Sequence, residues 1–442
     1  MYKKIKFAIL KYYKESIFKA LLGTTLFVIL YLLSNIELVR DKFEDVAFDI
    51  TNSFYFSNSK KELDIPKIKI FSVNEQYLRS ENLFNDKNET NYGYLFPRDK
   101  IANFIKKIDS HTKNIGFNPK VLFIDYDMTY TSTVYNNKLS KEDKYLIKVL
   151  KEPRSYKIII PKTKHINFIE QCKDKDIQNL ILKGKIIFAS TGLLKSSDDV
   201  NRRYYPYKRF NDKIYLNSSI ILYNMINNTN INKNKNDFTQ QDIVKNRILF
   251  KSYMEINKNT NYSEYQSYWN NITKYSANYP LNKIVNEHLG NSIIFFGGSY
   301  KNYDNFKNNS LLGNTSLYGI DIHANSLMSL LWLNGSLEKV NIFISILLVF
   351  IILFIVDLTI EIVFELCKWQ QYRKWEFTVS LIVSAIIMGW LSIYILETYK
   401  LWFNWIAPFI LFEVIELLEV LKIFSIWGKI KQYIGEKNES NI

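Results

Sequence analysis

Four apolar segments constrain the fold of this chain more than any other feature of its sequence. A helix that crosses a bilayer needs roughly 20 predominantly apolar residues, because each residue rises about 1.5 Å and lipid offers the backbone no hydrogen-bond partner. Segments of this kind are predicted at residues 17–38, 340–358, 377–396 and 401–421. The sequence therefore predicts four transmembrane helices and one large domain, residues 39–339, on one side of the membrane.

Basic residues predict the orientation of these helices. Lysine and arginine are frequent in residues 1–16, in the connection between the second and third segments, and in the tail at 422–442. Because cytoplasmic flanks carry an excess of Lys and Arg, we expect both termini in the cytoplasm and residues 39–339 outside it. The abundance of Lys, Asn, Ile and Tyr is typical of an AT-rich coding sequence, which favours a bacterial inner membrane, with the large domain in the periplasm or outside the cell.

The charge and the cysteines limit the partners. The formal net charge is +15, but the basic residues fall in the flanks or beside many acidic residues, so no nucleic-acid partner is expected. The expected partners are the bilayer and another membrane or envelope protein, and an oligomer is left open. Cys172 and Cys367 fall on opposite sides of the predicted membrane, so no disulfide is expected between them.

Apolar runs that could form strands alternate with helical patterns in the predicted outer domain. Such alternation predicts an α/β extracytoplasmic domain with a largely parallel sheet, whose ligands would bind at the carboxyl ends of its strands. The strands are expected at 68–73, 121–124, 157–160, 185–189 and 292–296, and the helices at 98–108, 141–150, 176–182, 216–226 and 320–333. Residues 228–279 are rich in Asn, Lys, Tyr and Gln, which predicts a loosely structured insertion with one strand at 248–250.

Several short motifs occur in an order that resembles a known family. The motifs are Ile68–Glu75, Phe96-Pro97-Arg98, Val121–Asp125, Asp199–Arg203, and Ile293–Gly298 followed by Tyr318–Asn325. With one anchor before the domain and three apolar segments after it, the chain resembles the second class of CHASE domains, the cyclase/histidine-kinase-associated sensory extracellular domains of bacteria. The resemblance implies a sensory domain that binds a ligand outside the cell.

Two features differ from that family. The first strand ends in Asn74-Glu75, where the family more often has an acidic pair. Family members commonly continue into a kinase or cyclase, whereas this sequence has about twenty residues after the last apolar segment, so we expect the signal to pass to a separate protein.

The candidate ligand-binding residues lie mostly at predicted strand ends. Carboxylates there could hold a cation or a polar ligand, with the metal unknown, or they could cap the following turn. A histidine on the last helix could contact the ligand or respond to pH, or it could be a packed core residue. Basic residues could bind an anion or form structural ion pairs. The residues are Glu75, Arg98, Asp125, Asp127, Arg202 and His323.

Two further candidates lie within the fourth apolar segment. Glu413 and Glu416 are three residues apart and so share one helix face. A carboxylate at membrane depth is costly, so these residues either face cytoplasmic lysines or form a docking face for another membrane subunit.

The sequence as a whole predicts a non-enzymatic sensor or receptor-like protein without a cofactor. Two other functions stay open: a structural or scaffolding subunit of an envelope-spanning complex, and an outer-domain hydrolase that uses Asp125, Asp127 and His323.

Overall fold

The chain divides into two units. The helical unit comprises Met1–Thr51 and Glu338–Ile442, and the α/β unit comprises Asn52–Leu337. The computed structural model describes residues 2–33, 44–53, 61–84, 89–90, 92, 95–116, 118–132, 139–195, 200–210, 212–229, 247–250, 253–258, 263–284, 289–300, 304–310, 313–367 and 376–405.

The helices and strands are numbered here in chain order. The helices are α1 (Tyr2–Leu33), α2 (Val46–Thr51), α3 (Glu75–Ser80), α4 (Arg98–Ile115), α5 (Lys141–Lys151), α6 (Lys175–Leu182), α7 (Ser218–Asn227), α8 (Gly319–Leu333), α9 (Ile342–Leu366) and α10 (Glu376–Tyr399), with a 3-10 turn at Leu281–Lys283. The strands are β1 (Ile68–Val73), β2 (Val121–Asp125), β3 (Lys157–Pro161), β4 (Ile186–Ala189), β5 (Leu193–Lys195), β6 (Asn201–Tyr204), β7 (Tyr207–Phe210), β8 (Lys213–Leu216), β9 (Tyr253–Lys258), β10 (Ser263–Ser267), β11 (Ile272–Ser276), β12 (Ile293–Gly298), β13 (Asn305–Ser310), β14 (Gly313–Tyr318), β15 (Glu338–Lys339) and β16 (Leu401–Trp402).

A mostly parallel sheet forms the centre of the α/β unit. Its strand order is β4-β3-β2-β12-β1-β11-β10-β9. The first six strands in this order (β4, β3, β2, β12, β1 and β11) pair in parallel with their neighbours. Strands β10 and β9 then extend the sheet with antiparallel pairing. The α/β class with a largely parallel sheet, predicted from the alternation of apolar runs, is confirmed.

The central strands are buried on both faces, which explains why they are continuous apolar runs. Every residue of β1 and β12 is buried. On one face, Phe104 of α4 stacks on Phe296 of β12 at a centroid distance of 4.0 Å. On the other face, His323 of α8 lies edge-on to Phe123 of β2 at 5.5 Å. Helices therefore cover both faces of the sheet.

Local capping sets the helix ends in this unit. Ser140 and Asp143 form a reciprocal capping box at the start of α5, and Asp174 accepts hydrogen bonds from two backbone amides at the start of α6. Helix α4 ends at Gly116, whose φ of 73° lies in the left-handed region that glycine tolerates.

The prediction for residues 228–279 is wrong for the described part of that region. It contributes β9, β10 and β11 to the main sheet, with β11 paired to β1. Ile248–Phe250, predicted as a strand, is buried but belongs to none of the strands. The polar composition of this region did not predict strands, because these strands extend the sheet towards its edge. There, polar residues such as Glu264 and Gln266 remain partly exposed.

Two helices of the helical unit are long and apolar enough to cross a membrane: α9, and α10 from Ile382 to Tyr399. They correspond to the predicted segments 340–358 and 377–396. The predicted segment 17–38 is helical in α1 up to Leu33, but α1 is not one of these two helices, and lysines occupy its first two thirds. Most of the segment 401–421, with Glu413 and Glu416, lies outside the described residues. The described residues therefore carry two such helices, where the sequence predicts four.

The ends of these helices are fixed by specific contacts. Strand β15, just before α9, pairs with β16, just after α10 (Glu338 with Leu401, Lys339 with Trp402). The start of α9 and the end of α10 therefore lie together, and the two helices form a hairpin. Helix α1 runs antiparallel to α9, because Lys11 contacts Glu365 while Lys19 contacts Asp357.

Candidate functional site

The candidate site lies at the carboxyl ends of three neighbouring strands, β1, β12 and β2. The order of the strands reverses here. Strands β1 and β2 are consecutive along the chain in the main sheet, but β12 lies between them and pairs with both. A crevice at such a switch point is where open α/β sheets bind their ligands. Asn74, Ser299 and Asp125 lie at the ends of the three strands.

Asp125 and His323 are brought together at this edge. Oδ1 of Asp125 lies 3.8 Å from Nε2 of His323, too far for a direct hydrogen bond. The side chains retain only 10% and 4% of their exposed surface, and Nδ1 of His323 has no hydrogen-bond partner in the described part of the chain. Two polar side chains thus face each other in a nearly buried place without a direct hydrogen bond between them, an arrangement that calls for an explanation.

Burial moves both protonation equilibria. It raises the pKa of Asp125 to about 7, because desolvation disfavours the carboxylate. It lowers the pKa of His323 to about 4, with the negative charge of Asp304 opposing the shift. Near neutral pH the imidazole is therefore neutral, and the carboxyl group is divided between its two forms.

Asp304, just before β13, is the second acid of the cluster, and the sequence analysis did not single it out. The residue as a whole is exposed, but its carboxylate lies against α8, where a Cβ on Gly319 would come within 1.8 Å of Oδ2. Desolvation of this carboxylate, followed by the charge of Asp125, raises the pKa of Asp304 to about 7. Asp304 lies in a polar stretch that does not follow an apolar run directly, so nothing in the sequence indicates that it lies at the carboxyl edge of the sheet.

Gly297 makes room for the cluster. Gly297 and Gly298 are the last two residues of β12 and pair with Ser72 and Val73 of β1. A Cβ on Gly297 would lie 2.9 Å from Cβ of Asp125 and 2.8 Å from Cδ1 of Ile320. Glycine is needed here because α8 and Asp125 approach the strand backbone closely.

Arg98 and Asp127, both predicted to bind ligand, form hydrogen bonds within the loop after β2 in this structure. Arg98 is fully buried, and its Nη2 donates to the carbonyl oxygen of Asp127 at 2.7 Å. Oδ1 of Asp127 accepts from the amide and hydroxyl of Thr129, at 2.9 and 2.5 Å, and from Thr163 at 2.9 Å. The turn-capping alternative is therefore the geometry seen for Asp127.

Glu75 and Arg202 occupy different surroundings. Glu75 is exposed in the first turn of α3, directly after Asn74, whose side chain caps that helix. Arg202 is buried in β6, outside the main sheet. Of the six predicted ligand-binding residues, the described contacts join only Asp125 and His323 in the cluster at the strand ends.

Comparisons of the chain with known protein families, with curated proteins and with solved structures found no match. The resemblance to CHASE domains therefore stays a prediction.

The cluster can offer hydrogen-bond acceptors and exchange a proton. The neutral imidazole has one acceptor nitrogen, and the Asp125 carboxylate, when ionised, only accepts. Among the described residues, no group of three or more His, Cys, Asp or Glu side chains is arranged to hold a metal ion.

Proposed function

We propose that the protein is a membrane-anchored sensor, whose α/β unit binds a small ligand at the carboxyl edge of its sheet. The observation that carries this proposal is the Asp125–His323 pair, nearly buried and 3.8 Å apart at a topological switch point. A polar pair of this kind gains favourable interactions when a ligand supplies the missing hydrogen bonds.

The helical unit supports a membrane location for the sensor. Helices α9 and α10 meet the length and composition of membrane spans and form a hairpin. Trp402, Phe403 and Trp405 follow α10, and aromatic residues are common where helices leave a bilayer. We propose that α1 and the segment 401–421 complete a bundle of four spans, with both termini in the cytoplasm of a bacterium.

In this proposal the protein belongs with the CHASE-type sensory domains, and a separate membrane or envelope protein receives the signal. A ligand changes signalling only if it binds two states of the protein with different affinity. The Asp125–His323 pair could supply that difference, because ligand binding would change its hydrogen bonds and its protonation.

Ligand binding can be tested on the full-length protein in mild detergent. Thermal unfolding would be followed against a panel of amino acids, organic acids, sugars, amines and nucleotides. We expect at least one compound class to stabilise the wild type and not Asp125→Asn, while Asp176→Asn, at an exposed carboxylate, responds as the wild type does. A panel in which every active compound also stabilises Asp125→Asn would contradict a ligand site at this edge.

Orientation can be tested with single cysteines. Leu182 is 83% exposed in the α/β unit, and Cys367 follows α9. A membrane-impermeant thiol reagent applied to spheroplasts should label Leu182→Cys in a background without the native cysteines. It should not label a variant that retains only Cys367. The opposite pattern would invert the proposed topology.

Partner identity can be tested by mild purification from the native host with mass spectrometry. A stoichiometric signalling protein would support the sensor. Recovery of envelope-assembly proteins, with no response to any compound, would instead favour a scaffolding subunit.

A further inference from the structure

The cluster of Asp125, His323 and Asp304 presents acceptors and negative charge to a ligand. Asp125 and Asp304 are acids, and each carboxyl group loses hydration in its surroundings. The imidazole of His323 is neutral near pH 7, so its unprotonated nitrogen accepts a hydrogen bond.

Lys274 and Arg98, two cations of the same unit, have other partners in the described structure. Lys274 donates to Asp321 at 2.7 and 3.0 Å, and Arg98 donates to the backbone after β2. Among the described residues, no Lys or Arg forms an ion pair with Asp125 or Asp304. When ionised, the cluster therefore carries negative charge that no described cation neutralises.

The separation of the two acceptors suggests what could lie between them. Oδ1 of Asp125 and Nε2 of His323 are 3.8 Å apart, and a group with several N–H donors can approach both within hydrogen-bond distance of about 2.9 Å. A carboxylate or phosphate ligand would instead meet like charge from Asp125 and Asp304.

We infer that this cluster binds the ammonium group of a small primary amine, with Asp125 supplying the counter-charge and the neutral His323 a second acceptor. This inference rests on the proposed sensor function and names the ligand class of the same site. The ammonium group carries three donors and one positive charge, which complements two acceptors beside an acid.

Binding of an ammonium group should depend on pH. Among the described residues, the titratable groups that face Asp125 are His323 on α8 and Asp304 before β13. The amine needs the ionised form of Asp125, so binding expels the proton that this carboxyl group holds below its pKa of about 7. Affinity should therefore rise about tenfold between about pH 6 and about pH 8, and Asp125→Asn should lose most of this dependence.

The test uses three four-carbon probes of similar length: putrescine, 1,4-butanediol and succinate. Each is titrated into the full-length protein in detergent, with thermal unfolding and calorimetry as readouts. We expect putrescine alone to bind the wild type, to bind more weakly to Asp125→Asn and His323→Phe, and to bind Asp176→Asn normally.

The outcomes separate the amine class from the sensor function. Stabilisation by succinate or butanediol that disappears in Asp125→Asn would overturn the amine class and keep a ligand site at this edge. Failure of putrescine to bind at either pH, or equal binding by Asp125→Asn, would also overturn the amine class. The broader compound panel tests the sensor function separately.

Discussion

The ammonium group of Lys19 on α1 lies 3.1 Å from Oδ1 of Asp357 on α9. The same group lies 3.6 Å from Glu361, one turn further along α9, and 3.8 Å from Glu15. These side chains are largely buried between helices. In a membrane such contacts would set the register of α1 against α9, because any slip removes the charge from its partners.

Replacing Lys19 by methionine should weaken the helical unit strongly. The substitution removes the ammonium group that Asp357 and Glu361 share, and breaking a buried ion pair costs about 3–5 kcal/mol. The free energy of unfolding in mixed micelles, followed by circular dichroism, measures the loss. Lys11→Met is the matched control, since Lys11 is 44% exposed and contacts Glu365 near the surface. Equal losses for the two variants would contradict a special role for Lys19.

Gly297→Ala should destabilise the α/β unit by about 1–3 kcal/mol, the usual cost of overpacking a core. The added methyl group would press on Ile320 and on Asp125 itself. The control is Gly192→Ala, where the nearest atom is the flexible end of the Lys208 side chain. Denaturant unfolding of the two variants compares them. A loss as small as that of the control would show that α8 can shift away.

The stability of Asp125 and His323 variants should change with pH in opposite directions. The pKa of Asp125 is raised, so the folded state holds its proton more tightly, and its contribution to stability falls as pH rises from about 4 to about 7. The pKa of His323 is lowered, so its contribution rises between about pH 4 and about pH 6.5. In the wild type the two effects largely cancel.

Single variants separate these two contributions. Relative to the wild type, the unfolding free energy of Asp125→Asn should gain a positive slope with pH across about pH 4.5–6, and that of His323→Gln a negative slope of about 1.4 kcal/mol per unit. Asp304 titrates in both backgrounds, and its pKa should fall in Asp125→Asn and rise in His323→Gln, because the charge of Asp125 raises that pKa and His323 lowers it. Parallel curves for the two variants would refute the assigned shifts.

Arg98→Met should lower stability without removing a ligand response. The guanidinium group holds the backbone after β2 through Asp127 and Tyr130, and losing buried hydrogen bonds of this kind costs about 1–3 kcal/mol. Thermal unfolding with and without an active compound separates the two effects. If Arg98→Met still folds but the compound no longer raises its unfolding temperature, Arg98 belongs to the binding site.

The parallel strands and their helices could be predicted from sequence because burial on both faces leaves a clear signal. Strands β1, β2, β3 and β12 are short apolar runs followed by polar residues, and α5 starts at a capping box. Strands β9 and β10 gave no such signal, since polar side chains are tolerated towards the edge of a sheet.

The candidate site could be predicted only in part. Asp125 could be predicted because it ends a buried strand, and His323 because it lies on the last helix of the α/β unit. Nothing in the sequence indicates that the two side chains meet. Asp304 depends on the path of the chain after β12, and Gly297 on how closely α8 packs. Both are tertiary effects without a local pattern.

The pairing of β15 with β16 also limits how α9 and α10 can move relative to each other. The pairing of Lys339 with Trp402 joins the two helices at one end, so a relative motion of the helices is a change of the angle between them. A helix of 25 residues is about 37 Å long, so a tilt of about 5° displaces its far end by about 3 Å. Any change in the angle between α9 and α10 would therefore cause its largest displacement at Leu366 and Glu376, the ends far from the β15–β16 pairing.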